Sequence, residues 1–287
     1  MYVMKELKVI SMLFVALVFA ACEKYVAGDD SVTQGSSVVN GNLVVKAGLA
    51  QTKAGESQSL SDKFTRIGMA VYQDGKRVDY VNQDNQDKNF GTMSLDLPAG
   101  SYQLLVVAHS CSRSATTTNF NKVSFTAPLS DVFAFQTTVQ ITSEAKTITA
   151  SLTRATARVD LIISDEIPEK AASLMFNYNG GSNMMDAATM LGVPSTHKTV
   201  EMDIIDREEK TYSFYTFQCP DQMLKIEVSA YDETGQLLGA KVFNDVTVEK
   251  NRVTSITSPV FTGAIEGPSD ISITVDDTRG ETITYSI

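Results

Sequence analysis

The chain contains no tryptophan, two histidines and three cysteines in 287 residues. Two histidines, His109 and His197, are too few for most metal centres. Three cysteines are too few for a disulfide framework. Basic residues are also short: 24 Lys and Arg stand against 34 Asp and Glu, a net charge of −10. That balance argues against a nucleic-acid binder, which needs a basic face, and against electrostatic docking onto anionic lipid. Acidity of this kind suits solubility outside the cell. Long apolar runs are missing beyond Val9–Ala21, which is shorter than the roughly 20 residues that span a bilayer as a helix. No window keeps helical periodicity over three turns. The sequence carries neither a Gly-x-Ser-x-Gly elbow nor a Gly-rich phosphate loop. No catalytic residue, cofactor or metal is therefore expected.

What is present begins at the N-terminus. Lys5 and Lys8 precede the apolar run, and small residues close it at Ala20 and Ala21, in the order of a secretory signal. Phe19-Ala20-Ala21-Cys22 resembles a bacterial lipobox, with Phe where Leu is commoner. The resemblance implies cleavage after Ala21 and acylation of Cys22 with palmitate-type chains, each contributing about 0.8 kcal/mol per buried CH₂. The alternative is an ordinary cleaved signal beside a cysteine. Residues 1–21 carry a net +1, so the remaining 266 residues stand at −11. That length suits two domains of roughly 110–130 residues.

Residues 22–37 are polar and read as a tether between lipid and fold. From Val38 onward, short apolar–polar alternations recur every 8–12 residues between turn signals, the pattern of all-β sandwiches. Val38–Ala50 reads as the first strand, and Gln51–Asp62 as a polar loop. Gln73-Asp74-Gly75-Lys76 is a hairpin turn, because Asp-Gly accepts the left-handed backbone it needs. Leu104–Ala108 reads as part of a central strand. Residues 183–197 read as a Met-rich loop with at most one helical turn. The break near Leu152-Thr153-Arg154 divides the fold into sandwiches at 38–152 and 153–287, set end to end. Cys111 and Cys219 then fall in different domains, which favours two separate buried thiols, although an exported chain permits pairing.

Candidates for chemistry are few. His109 and Cys111 share a strand face but have no further ligands nearby. Asp165-Glu166 is better explained as a turn before Pro168 than as an acid pair. Gly180-Gly181-Ser182 lacks a following Lys. Met184, Met185 and Met190 offer either an adaptable contact surface or a loop packed on its own sandwich. The first strand and the terminal hairpin from Ile271 are candidates for exchange between subunits by addition to an open sheet edge. The alternative is two ordinary edge strands.

Several stretches taken in order resemble the fimbrial anchor and fimbrillin-like lipoproteins of Bacteroidales. They are Phe90-Gly91-Thr92-Met93-Ser94-Leu95-Asp96-Leu97-Pro98-Ala99-Gly100-Ser101-Tyr102, Asp131-Val132-Phe133-Ala134-Phe135, and Leu152-Thr153-Arg154-Ala155-Thr156-Ala157-Arg158-Val159. Phe176-Asn177-Tyr178-Asn179-Gly180-Gly181-Ser182, Tyr215-Thr216-Phe217 and Asn251-Arg252-Val253-Thr254 extend the likeness over nearly all of the chain after Cys22. The resemblance implies two consecutive transthyretin-like sandwiches on an outer-membrane lipoprotein that joins other fimbrial subunits by strand exchange and supports adhesion. Shaft subunits of the family are cut after a basic residue near the first strand. Here residues 51–63 offer Lys53 and Lys63 but no Arg, which favours an anchor or accessory subunit. The competing reading is a surface lipoprotein whose loops bind glycan or a host protein outside any fibre.

Overall fold

The computed structural model describes residues 41–50, 59–263, 272–277 and 281–286. Residues 37–287 form one compact unit. In chain order its elements begin with β1 (Leu43–Leu49), a helical turn α1 (Leu60–Lys63), β2 (Arg66–Gln73), β3 (Lys76–Asp84), β4 (Thr92–Leu95) and β5 (Gly100–His109). Next come β6 (Val123–Ser124), β7 (Phe133–Ile141), β8 (Lys146–Arg154), β9 (Ala157–Ile163), β10 (Ala171–Asn179) and β11 (Gly181–Ser182). Then follow β12 (Met184–Asp186), β13 (Leu191–Gly192), β14 (Lys198–Asp203), β15 (Thr211–Gln218) and β16 (Leu224–Asp232). The chain closes with β17 (Leu237–Val246), β18 (Val253–Ser258), β19 (Ser272–Asp277) and β20 (Glu281–Ser286). The fold is all-β, as the alternation predicts.

The first half is a sandwich. One layer runs β3-β2-β5-β7 and the other β8-β1-β4. They join at a corner where β7 meets β8 through only Phe133↔Arg154 and Ala134↔Thr153. Alternate residues of β2 and β5 (Ile67, Met69, Val71, Leu104, Val106) face Leu43 and Val45 of β1 and Ala150 and Leu152 of β8 across one core. The expected turn is present, with Asp74 at φ 51° and Gly75 at φ 75°, the doubly left-handed backbone of a tight hairpin.

The second half repeats this topology strand for strand. Its layers run β14-β10-β16-β17 and β18-β9-β15, the latter extended by β11 on one side and by β19-β20 on the other. Val159, Leu161, Phe214 and Ile256 face Leu174, Phe176, Ile226, Val228 and Phe243 in its core. In both halves the opening strand lies between an antiparallel and a parallel neighbour. β1 pairs antiparallel with β4 and parallel with β8. β9 pairs antiparallel with β15 and parallel with β18.

Residues 183–197 differ from the loop expected. They form the β12–β13 hairpin, and β12 pairs with β6 of the first half through Met184↔Ser124 and Met185↔Val123. Strands of two and three residues carry no readable period, which is why the sequence hides them. Beneath this small sheet a third apolar cluster joins Tyr72, Leu105, Phe120 and Phe125 from the first half to Met185, Ala187 and Phe217 from the second. Phe125 and Phe217 meet at 5.4 Å between ring centroids. Met185 is fully buried, and Met190 packs partly buried against the same cluster, so these methionines serve the protein's own packing.

A candidate strand-exchange cleft

The first strand is the candidate site, and its setting differs from the open edge expected for it. β1 is central in its layer, hydrogen-bonded on both sides. Seven residue pairs align it with β8, from Leu43↔Lys146 to Leu49↔Leu152. Four align it with β4, from Leu43↔Leu95 to Lys46↔Thr92. The ladder extends past the strand at both ends. The Lys146 amide donates to the Asn42 carbonyl at 2.7 Å, and the Ala50 amide to the Leu152 carbonyl at 2.9 Å. The Asn42 side chain bridges to the loop after β4, donating to the Leu97 carbonyl at 2.7 Å and accepting from the Leu97 amide at 2.9 Å.

Alternation explains how β1 seats itself. Leu43 and Val45 are fully buried, whereas Lys46 points outward. Ala47 lies where the wall is tight. Gly91 has φ 88°, and a Cβ on it would stand 2.7 Å from Leu60 Cδ1. The Ala47 amide donates to the Gly91 carbonyl at 2.8 Å. Only glycine supplies both that backbone and that clearance. Along its inner face β1 thus presents two fully buried aliphatic groups, Leu43 and Val45, and then the partly buried Ala47.

Where β1 ends, Phe133 closes the core at 7% exposure. The Lys63 ammonium lies 4.7 Å from its ring centroid and the Arg154 guanidinium 5.1 Å. Arg154 Nε donates to both Asp131 oxygens at 3.0 Å. Thr156 Oγ1 donates to Asp131 Oδ1 at 2.7 Å and accepts from the Val132 amide at 3.3 Å. Burial, then the neighbouring Arg154, lowers the Lys63 ammonium from its usual range, with Asp131 opposing. Sequence reading picked out Lys63 as a cleavage point and missed this cluster, whose members lie far apart in the chain.

The other expected site residues are distributed as follows. Ala21, Cys22 and Lys53 lie outside the described residues, as do the side chains of the terminal hairpin. Lys63 is exposed but is followed at once by Phe64, buried to 2%. His109 and Cys111 do share a site, yet not as metal ligands. The Cys111 amide donates to His109 Nδ1 at 3.1 Å, and the imidazole packs edge-on against Phe125 at 5.3 Å. That bond assigns the neutral ring with its proton on Nε2. Burial, reinforced by Arg66, pushes the His109 pKa down to about 4. Cys111 and Cys219 are buried free thiols, and burial raises the Cys219 pKa. His197 is exposed and shares Asn177 Oδ1 with Thr199. Asp165 has a role its sequence did not announce. Its carboxylate accepts the amides of Val260, Phe261 and Thr262 at 2.9–3.0 Å and fastens the chain after β18. Among the described residues no group of three or more His, Cys, Asp and Glu side chains is placed to hold a metal.

The model of a family of unknown function, DUF6562, matches residues 32–283. The chain belongs to that family. No protein of curated function matches this DUF6562 member. Among solved structures, a Bacteroides thetaiotaomicron protein of the DUF1812 group, named for polysaccharide binding, superposes with a TM-score of 0.51 at 12% identity. That alignment covers 85% of this chain and 97% of the other, and shows a shared fold. A fimbrial assembly protein from Parabacteroides distasonis aligns at a TM-score of 0.44 and 13% identity, over 85% of this chain and 97% of its own. The fimbrial anchor protein Mfa2 from Porphyromonas gingivalis aligns at 0.42 and 11%, over 75% of this chain and 89% of its own.

Proposed function

We propose that this protein is a lipid-anchored, outer-membrane subunit of a surface fimbria, working as an anchor or accessory piece and supporting adhesion. It joins neighbouring subunits by strand complementation at the β1 cleft and has no catalytic role. The observation that carries this reading is the placement of β1. It brings the buried side chains of Leu43 and Val45 to its layer's core, and the chain leads from it into the rest of the sandwich through residues 50–59. Its counterpart β9 follows β8 after two residues and is fixed there. A strand so placed can be replaced by an equivalent one with little change in hydrogen bonding or burial. The names of structural neighbours, fimbrial anchor and fimbrial assembly protein, agree with this use of the fold.

The remaining parts follow from the same reading. Residues 1–21 form the export signal, cleaved after Ala21. Cys22 carries the acyl chains, and 22–37 form the tether. The segments 38–152 and 153–287 are the two sandwiches. Where processing occurs, it falls at Lys53 and not at Lys63. A protease needs extended accessible backbone, and Phe64 would have to leave the core to provide it. The lack of Arg in 51–63 favours the uncut, anchor-like form.

The test is an intact-mass measurement and pull-down from envelopes. Acylated Cys22 on a chain that still holds β1, with a second subunit co-purifying, is the expected result. Cys22→Ala should release the protein from the membrane fraction. A Cys22→Ala protein that stays firmly bound, or retention of a soluble glycan with no partner subunit, would overturn the proposal.

A further inference from the structure

The two halves repeat each other except along one edge. β8 and β18 hold the same place in their layers, each parallel to the opening strand of its half. In the second half the other side of β18 is taken by β19, antiparallel, with Val253↔Asp276 and Ser255↔Thr274. In the first half the other side of β8 meets β7 at its far end alone, through Thr153 and Arg154. We propose that the rest of this edge, from Thr147 to Ser151, receives an antiparallel strand from a partner protein. That strand has the chemistry of β19, alternately hydroxylic and aliphatic and ending in carboxylates. The edge is separate from the β1 cleft, so the inference stands whether or not β1 is exchanged.

Alternation along the backbone sets which groups are on offer. The Lys146 amide bonds to the Asn42 carbonyl and the Leu152 carbonyl to the Ala50 amide, so the even-numbered residues of β8 face β1. Thr147, Thr149 and Ser151 turn their amides and carbonyls the other way, where no backbone partner stands among the described residues. All three are exposed, and Ile148 between them is only partly buried, as is Phe135 of β7. On β18 the matching positions are sealed, with Val253 at 4% and Thr254 at 1% exposure. Charge follows the same register. Lys146 lies opposite Leu43, the first inner residue of β1, and Arg252 precedes the pair Val253↔Arg158 and so lies level with Ala157, the first inner residue of β9. Each edge thus opens on a base. Carried back one residue, the β18–β19 register sets Asp277 level with Arg252. A carboxylate at that end of a partner strand comes level with Lys146.

The edge at β3 is built the opposite way. Its outward amides at Tyr80 and Asp84 are capped by carboxylates, Asp79 Oδ1 at 2.8 Å and Asp87 Oδ2 at 3.0 Å, and a bulge at Val78 breaks its register. Such devices keep a sheet edge from pairing with another chain. β8 carries no Asp or Glu, no proline and no bulge against β1. An edge left bare where its neighbour is guarded suits strand addition.

Residue-resolved amide hydrogen exchange on the full-length chain tests this. The probe is an amidated peptide of residues 271–277, the sequence that already pairs with β18. It should slow exchange at Thr147, Thr149 and Ser151 by about tenfold or more at saturation. Thr149→Pro removes an outward amide without touching the β1 ladder, and should abolish that protection while β1 keeps its own; Thr147→Pro serves if the first variant does not fold. A peptide with Asn at both Asp positions should bind about two- to fivefold more weakly, as an exposed ion pair predicts, and Lys146→Gln should remove the difference. Equal binding of the Asp and Asn peptides overturns the charge match and leaves the edge standing. No added protection, or protection at Val253 and Ser255 alone, overturns the edge itself. Protection of the same three amides by self-association of the chain without peptide overturns the partner strand in favour of a second copy.

Discussion

Leu43→Ala examines whether β1 is the strand the protein can spare. Leu43 is fully buried at the start of β1, between Leu95 of β4 and Lys146 of β8. Deleting three buried carbons there leaves a cavity between two layers that are themselves well paired. The expected loss is about 2–5 kcal/mol, the range for buried Leu to Ala. Because the chain leads from β1 into the rest of the sandwich through residues 50–59, that loss falls first on the equilibrium between seated and released β1. At 1.4 kcal/mol per tenfold, the released population rises about thirty- to several-thousand-fold. Native-state hydrogen exchange measures it directly. Amides of β1 and their partners on β4 and β8 should lose protection by that amount, while those of β10 and β16 keep theirs. Lys46→Ala, on the exposed face of the same strand, is the control and should change exchange by less than about 0.5 kcal/mol. Uniform loss of protection through both halves in Leu43→Ala would refute the reasoning, because β1 would then open only with the whole fold.

Three further outcomes follow from the geometry. His109 titrates near 4 when folded and near 6.5 when unfolded, so the unfolded chain binds the extra proton; stability is complete above about pH 6.5 and falls by about 3 kcal/mol as pH drops through that window to about 4. Urea unfolding at a series of pH values should show this slope, and His109→Gln should flatten it. At Gly180, with φ 85°, a Cβ would stand 2.1 Å from the Met223 carbonyl oxygen, so Gly180→Ala should cost about 3 kcal/mol by thermal melting. Gly48→Ala, whose Cβ meets nothing within 4 Å, should stay within about 0.5 kcal/mol of the parent. Phe217→Ala removes the largest side chain that the second half buries in the shared cluster, leaving Met185 and Ala187, and should cost about 3–5 kcal/mol; calorimetry should give one transition for the parent chain, and two would contradict coupling through that cluster.

Much of the fold was legible because one-sided burial writes itself as alternation. Met93 and Leu95, or Ile226 and Val228, declare a strand and its inner face without reference to any neighbour. The Asp74-Gly75 turn is local in the same way. Partner choice is not. Nothing within Leu43–Leu49 says that it lies between β4 and β8, roughly 50 and 100 residues away. An edge and a centre differ only in hydrogen bonds that the side chains do not encode, so the centrality of β1 could not be read. Asp165 resembled a turn acid for a similar reason, since the amides it accepts lie at 260–262. The β12–β13 hairpin was hidden by brevity. The Lys63–Phe133–Arg154–Asp131 cluster was hidden by dispersal over three segments, although Phe133 and Asp131 stand in a stretch that the family resemblance marks.

The parallel alignment of β1 with β8 has a mechanical consequence. Tension applied at the amino end of β1 pulls it one way along its own axis, while the second half, attached where β8 finishes, pulls β8 the other way. The two strands are then loaded in shear. Every rung between them resists together, whereas an antiparallel pair gripped at adjacent ends would peel open one rung at a time. A protein tugged by flowing liquid at a cell surface keeps its grip longest when its critical strand is arranged in this way.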